Sequence, residues 1–510
     1  MTEPRRGRRR SSESPARPSF SQAPFRPLPN SLPKVEPLSQ DQIEAIHRSA
    51  IRVLAEVGVM VLEEEAVELL KAQGAEVSGQ RLRFSPGMEV ALLDAMPSQF
   101  RLHARNPAND LAFGTGVPYF GTVASAPNSQ CLDQGRRPGN SQDYLNFVRL
   151  AQVFNAIDLL GGYPVEPLDW HASTRHLDCI DAMLRLSDKP FVGYALGRER
   201  TLDLIEMARL GRGRAPEAFR EEPSCMATIN TNSPLQIDKA MAIGLIELAR
   251  AGQAAIITPF TLSGAMAPVS LAGALVQQHA EFLAAAMLSQ AARKGAPLLY
   301  GGFTSNVDMK TGSPAFGTPE YLKAQQIGGQ LARRVGVPYR SSNVNAANSV
   351  DAQAIWESQM SLWGALTGQA DYIKHAAGWL EGGLSASFEK FVMDADMIQA
   401  LRAYMQPLTV DEAEMAVDAI AEVGPGGHFF GTAHTLARYS DAFFTPMTSD
   451  WRNFEAWSEA GGLTATQRAN GIWKAALASH RSPALADDVS EALAEFVARR
   501  KAEGGVEVDF

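Results

Sequence analysis

AAIITPFTLSG (residues 254–264), LAGALVQQHAEFLAAAMLSQ (271–290) and PLLYGGFTSN (297–306) follow one another in a strand, helix, strand order that sets the repeating unit of this chain. The first and third are short apolar runs with polar ends, as expected of strands buried on both faces. Between them Pro268 opens a helix, Leu271, Leu275, Phe282 and Met287 recur along one stripe, and Gly295-Ala296-Pro297 closes it. The unit extends both ways: VPYFGTVAS from Val117, AIDLLGGYP from Ala156, KPFVGYAL from Lys189 and SCMATINTN from Ser224 precede it, and VPYRSSNVN from Val337 and DYIKHAAGWLEGG from Asp371 follow. Eight such segments at intervals of roughly 30 to 40 residues, with no Gly-x-Gly-x-x-Gly after the first, predict an α/β fold in which a (β/α)8 TIM barrel closes, rather than an open doubly wound sheet.

The barrel is expected over residues 117–397. Before it, residues 38–116 read as an N-terminal cap, with two amphipathic helices stopped by Gly58 and Gly74 and then short extended pieces around a helix. After it, residues 398–510 read as a C-terminal helical region packed on the barrel, with VDEAEMAVDAIAEVG and DDVSEALAEFVARRKAEGG as helices. Residues 1–37 combine Arg5, Arg6, Arg8, Arg9 and Arg10 with many Ser and Pro and few apolar groups, which predicts a disordered basic arm. No apolar run follows its paired arginines, so an export signal is not indicated and the cytoplasm is the expected location.

A net charge of −9 disfavours a nucleic-acid binder, and no run of about 18 apolar residues signals a membrane span. Cys131, Cys179 and Cys225 lie far apart without a CxxC pair, so neither a disulfide framework nor a thiolate metal site is expected. His428 and His434 match no standard zinc spacing, and no metal site is predicted. Gly424, Gly426 and Gly427 beside them suit a tight turn as well as an anion-binding loop.

In a barrel of this kind the active site lies at the carboxyl ends of the strands. Those ends carry Thr122, Ser125, Tyr163, Tyr194, Asn230, Asn232, Phe260, Ser263, Phe303, Asn306, Asn343, Asn345, His375, Trp379 and Glu381, which are mostly amides, hydroxyls and aromatics. Paired carboxylates, a metal cluster or a nucleophile with its base are not in view, which argues against hydrolysis and phosphoryl transfer. Tyr163, Tyr194, Phe260, Phe303 and Trp379 can instead form a box for a quaternary ammonium, although aromatic rings also fill cores without any ligand.

Three stretches resemble the trimethylamine methyltransferase (MttB-like) family: TPFTLSGAMAPVSLAGALVQQHAEFLA from Thr258, LLYGGFTSNVDMKTGSPAFGTPEY from Leu298 and EVGPGGHFFGTAHT from Glu422. The resemblance implies a barrel enzyme that presents a methylated nitrogen to the Co(I) of a separate corrinoid protein. The family's founding trimethylamine enzymes carry pyrrolysine near the segment that here reads SSNVNAANSVDAQAIWES (341–358), where this chain has only standard residues. That departure makes it similar to the non-pyrrolysine members, some of which act on glycine betaine and related quaternary amines.

On that resemblance the candidate catalytic or orienting residues are Asn345, Asp351, His375 and Glu381. Candidate substrate contacts are Tyr163, Tyr194, Phe260, Phe303, Asn306, Asn343, Asn348, Gln353, Trp379 and His428, with Arg340 or His428 to receive a carboxylate. Asn348 or Ser349 can equally cap the following helix, and Asp351 can equally favour that helix's positive N-terminus. The corrinoid is expected on a partner protein and not in this chain, which lacks the Asp-x-His-x-x-Gly cobalamin-binding pattern. The other expected partners are a small methylated amine and further copies of the chain, as a homo-oligomer. Methyl transfer from a sulfonium or another N-methyl donor, and a non-catalytic betaine-binding barrel, stay open as alternatives.

Overall fold

The computed structural model describes residues 20–24 and 27–507. They form a mixed α/β fold around one seven-stranded parallel sheet, ordered Tyr119–Thr122, Tyr372–Ala377, Tyr339–Ser342, Leu298–Gly301, Ala254–Ile257, Met226–Ile229, Val192–Gly193. Runs such as AAII and LLYG are buried at every position, because helices cover one face and the other turns inward. The sheet is strongly curled. Lys374 Nζ donates to Thr228 Oγ1 at 2.8 Å, although their strands are four positions apart and would lie roughly 19 Å apart in a flat sheet. Both edge strands also reach the segment expected as a strand from Ala156: Gly121 bridges Leu159, and Leu160 bridges Phe191, both in parallel.

The inside of the curl is layered. Tyr119, Leu159, Val192, Met226, Ile256, Leu299 and Tyr372 pack together at one end, where the antiparallel pair Phe100–Leu102 and Leu111–Phe113 covers them. Above this apolar layer come Thr228, Arg340 and Lys374, then the residues past the strand ends. Two small sheets built from the loops wall the open end: Leu262–Ser263 with Ser305–Val307 and Pro314–Ala315, and Trp379–Leu380 with Ser385–Ser387, Asn128–Cys131 and Gly135–Pro138.

Several expectations change at the level of elements. The helix expected from Pro268 spans Leu271–Ala292, because the Ser270 hydroxyl accepts from Gly273 N–H and caps it. It is buried nearly all round rather than along one stripe, since helix Gln40–Glu56 packs on its outer side, where His47 meets His279. The stretch expected as one helix over VDEAEMAVDAIAEVG breaks into Glu412–Met415 and Val417–Val423 where Ala416 turns left-handed, at φ 48°. The 397/398 boundary falls inside helix Phe388–Met405.

Of the arm expected to be disordered, residues 1–19 and 25–26 lie outside the described residues. The rest is docked: the Phe20 ring sits 5.0 Å from Phe154, Asn30 Nδ2 donates to Leu366 O, and Leu32 is buried. Its few apolar groups suffice because preformed grooves receive them. None of the described helices is long and apolar enough to cross a membrane.

Candidate functional site

At the carboxyl ends of the strands the curl opens into a cavity of about 670 Å³. Its floor is cationic. Arg340 and Lys374 alternate inward from neighbouring strands, while Ser341 turns outward to meet Gln325 of the surrounding helix layer. Burial pushes the Lys374 ammonium well below the ordinary lysine range, and the nearby Arg340 charge adds to this. Burial likewise lowers Arg340. No carboxylate forms an ion pair with either cation among the described residues.

The wall is aromatic. Phe260 and Phe303 lie 5.1 Å apart by ring centroid, Phe303 and Trp379 6.4 Å, and His375 stacks 4.2 Å from Trp379. Trp379 is held from behind: its Nε1 donates to Asn345 O at 3.1 Å, and Asn345 Nδ2 donates back to Trp379 O at 2.6 Å. Gly383, with φ 104°, passes so close that a Cβ there would meet the Trp379 ring at 2.5 Å. Glycine is therefore needed for the indole to keep its place.

Across the cavity, Tyr194 stacks on Tyr163 at 4.0 Å, accepts from the Ser125 hydroxyl and donates to Glu166 Oε1 at 2.9 Å. Burial raises Glu166, whose other oxygen lies 3.7 Å from Arg175. His375, with φ 59°, is held far below the usual histidine range by burial, then by Lys374 and Arg340, so its imidazole is neutral near pH 7.

Of the residues nominated from the sequence, Tyr194, Phe260, Phe303, Arg340, His375 and Trp379 line the cavity, with Ser125, Asn230 and Asn232 among the strand-end residues. Tyr163 and Asn345 lie directly behind it, the first under Tyr194 and the second clamping Trp379. The others are elsewhere. Asp351, expected to be catalytic or merely to favour the helix N-terminus, is itself the cap of helix Ala352–Thr367, accepting from the N–H groups of Gln353 and Ala354 in the place expected for Asn348 or Ser349. Asn343 is buried and donates to Ala376 O, while Asn306 accepts from the Thr318 hydroxyl. Asn348 is exposed, and so is Gln353, which donates to Glu357. Glu381 faces Arg136, and His428 is exposed on the C-terminal segment. Lys374 and Glu166 were missed. A lysine two residues after Tyr372, inside a strand predicted to be buried, was the available signal for Lys374.

Among the described residues no cluster of three or more His, Cys, Asp or Glu side chains could hold a metal ion. A larger hollow of about 970 Å³ lies between residues 20–24, helix Phe388–Met405 and the 440–447 loop, with no strand end in its wall.

Residues 4–505 match the family described as trimethylamine methyltransferase (MTTB). The chain is 37% identical to the glycine betaine methyltransferase of Desulfitobacterium hafniense (strain Y51), over 93% of this chain and 99% of that protein. It is 30% identical to the trimethylamine methyltransferase MttB of Desulfitobacterium hafniense (strain DSM 10664 / DCB-2), over 81% of this chain and 83% of that one. The crystal structure of the Methanosarcina barkeri monomethylamine methyltransferase (MtmB) aligns over 90% of this chain and 88% of its own, with a TM-score of 0.49 and 10% identity. The chain belongs to the trimethylamine methyltransferase family.

Proposed function

We propose that this chain is a cytoplasmic methyltransferase that moves a methyl group from a betaine-like quaternary amine to the Co(I) of a separate corrinoid protein, and that its curled sheet is a closed (β/α)8 barrel with residues 157–160 as the remaining strand. The bridges of Leu159 and Leu160 to both sheet edges support closure. The buried free thiols Cys131, Cys179 and Cys225 suit a reducing compartment. The observation that carries the function is the set of aromatic side chains, Tyr194, Phe260, Phe303 and Trp379, that line one cavity at the strand ends.

A quaternary ammonium donates no hydrogen bond, so ring faces and exclusion of water are the means of holding it. Its nitrogen already carries the positive charge of a leaving group. As the Co–C bond forms and the C–N bond breaks, nitrogen keeps the electron pair and departs as a neutral tertiary amine, with no proton to supply. What the protein contributes is alignment and desolvation, worth several orders of magnitude when the reacting atoms are held in line. The cavity is of small-molecule size, so the corrinoid, carried on its own protein, meets the donor at the rim near Gly382, Gly383 and Leu384.

Anaerobic incubation with chemically reduced cob(I)alamin and glycine betaine, carnitine, choline, proline betaine or trimethylamine tests this reading. Methylcobalamin should form with a carboxylate-bearing quaternary amine. Silence across the panel, also with candidate corrinoid proteins, would refute it. In the same assay Trp379→Ala should lower kcat/KM about 30-fold, the equivalent of about 2 kcal/mol for a desolvated cation–π contact, with the loss mainly in KM. An unchanged KM would remove Trp379 from the box.

A further inference from the structure

We propose that Arg340, with Lys374 beside it, is the receptor for the carboxylate of the methyl donor, so that the donor binds with its anion on the floor and its trimethylammonium toward the mouth. The inference rests on reading the cavity as a quaternary-amine site and adds which way round the substrate lies.

Arg340 is only 2% exposed, yet its Nε and Nη1 have no hydrogen-bond partner among the described residues. The Phe303 ring lies 5.4 Å from the guanidinium carbon. A buried, unpaired guanidinium is costly to keep, and a purely structural arginine would have been given a carboxylate. Lys374 is 5% exposed, with Nζ on the neutral Thr228 hydroxyl and no carboxylate beside it among the described residues, so its remaining N–H groups can donate to an anion. The buried Arg340 guanidinium would repel a lone ammonium ion. Arg340 and Lys374 together favour a zwitterion that turns its anion toward them, and the planar guanidinium offers a carboxylate two parallel donors.

Depth gives the direction. Arg340 and Lys374 belong to the strands themselves, whereas Tyr194, Phe260, Phe303 and Trp379 all lie beyond strand ends. Anchoring the anion below lifts the methyl groups past the rings toward the open end, the side from which an acceptor can approach. Glu166, on the tyrosine side, adds negative potential near the ammonium and none on the floor.

Calorimetric titration without any acceptor tests the assignment. Wild-type protein should bind glycine betaine about 100-fold more tightly than its methyl ester, which keeps the ammonium and the shape but loses the anion. Arg340→Met should weaken glycine betaine about 100-fold and alter choline less than about 3-fold, and Arg340→Lys should recover part of the loss. Because the guanidinium has no partner to orphan, R340M should melt no lower than wild type. Equal affinity of the wild type for betaine and ester, parallel losses of betaine and choline in R340M, or a melting temperature many degrees lower would each overturn the assignment.

Failure of the wider reading looks different. Betaine bound through Arg340 without methylation of cob(I)alamin would refute methyl transfer and leave the receptor standing. Equal methyl transfer from betaine and choline, insensitive to R340M, would do the reverse.

Discussion

Lys390→Met should lower the unfolding free energy by about 3–5 kcal/mol, the range for removing one partner of a buried ion pair. Lys390 and Asp394 are 0% exposed and ion-paired one helical turn apart. Lys390 Nζ also donates to Ser358 Oγ at 2.8 Å, and Asp394 Oδ2 accepts from Gly378 N–H at 2.9 Å. Without the ammonium, Asp394 remains as a buried carboxylate with too few donors. Burial already holds its pKa above the ordinary aspartate value. The variant can therefore relieve part of the loss by binding a proton, and the destabilisation should shrink as the pH is lowered. Urea denaturation of wild type, Lys390→Met and the double variant Lys390→Met/Asp394→Leu measures this, the double variant regaining most of the loss. A single variant within about 1 kcal/mol of wild type would show that the pair is dispensable. Gly378 immediately precedes Trp379, so the single variant should also loosen the cavity wall.

The second large effect is acid lability. His279 and His375 are buried with pKa values pushed well below 6.5, chiefly by burial. His279 sits between His47, 2.9 Å away, and the Tyr300 hydroxyl at 3.1 Å, under helix Gln40–Glu56. Both histidines are neutral in the fold, whereas in the unfolded chain they take up protons below about pH 6.5. The unfolded state then holds more protons, so stability is complete above pH 6.5 and is lost as the pH falls toward the lower folded values. Each group contributes a slope of up to about 1.4 kcal/mol per pH unit, so together they reach about 2.7. Unfolding free energies measured between pH 7.5 and 5.5 should fall steeply, and His279→Asn should flatten the curve while lowering the plateau. A level profile in the wild type would contradict the assignment of buried neutral imidazoles.

The parallel strands were legible because burial on two faces forces uninterrupted apolar runs, and AAII and LLYG have no other simple reading. The segment from Ala156 was legible as apolar, yet it forms only single bridges, since Gly161 and Gly162 follow at once and the chain turns away. The aromatic wall could be found because position at a strand end is a local property. The polar site could not. Asp351 obeys the same grammar whether it caps a helix or meets a ligand, and only the two N–H groups pointing at it decide. Asn343 and Asn345 lie where the strand from Tyr339 has just ended, so the pleat no longer dictates which way they face. Arg340 could be nominated for a carboxylate alongside His428, but its lack of a partner, which separates the two, is a property of the packed interior and of no sequence window.

The Lys374 strut and the apolar layer beneath it close the floor of this cavity among the described residues, which leaves the open end at the strand termini as its doorway. On the proposed function, amine donor, demethylated product and corrinoid protein must take turns at the open end, since the floor is closed. A corrinoid protein docked on an empty enzyme would shut the amine out, and one lingering after transfer would shut the product in. Steady-state rates should therefore follow a compulsory order, amine first, and excess cob(I)-state corrinoid protein should inhibit competitively with respect to the amine.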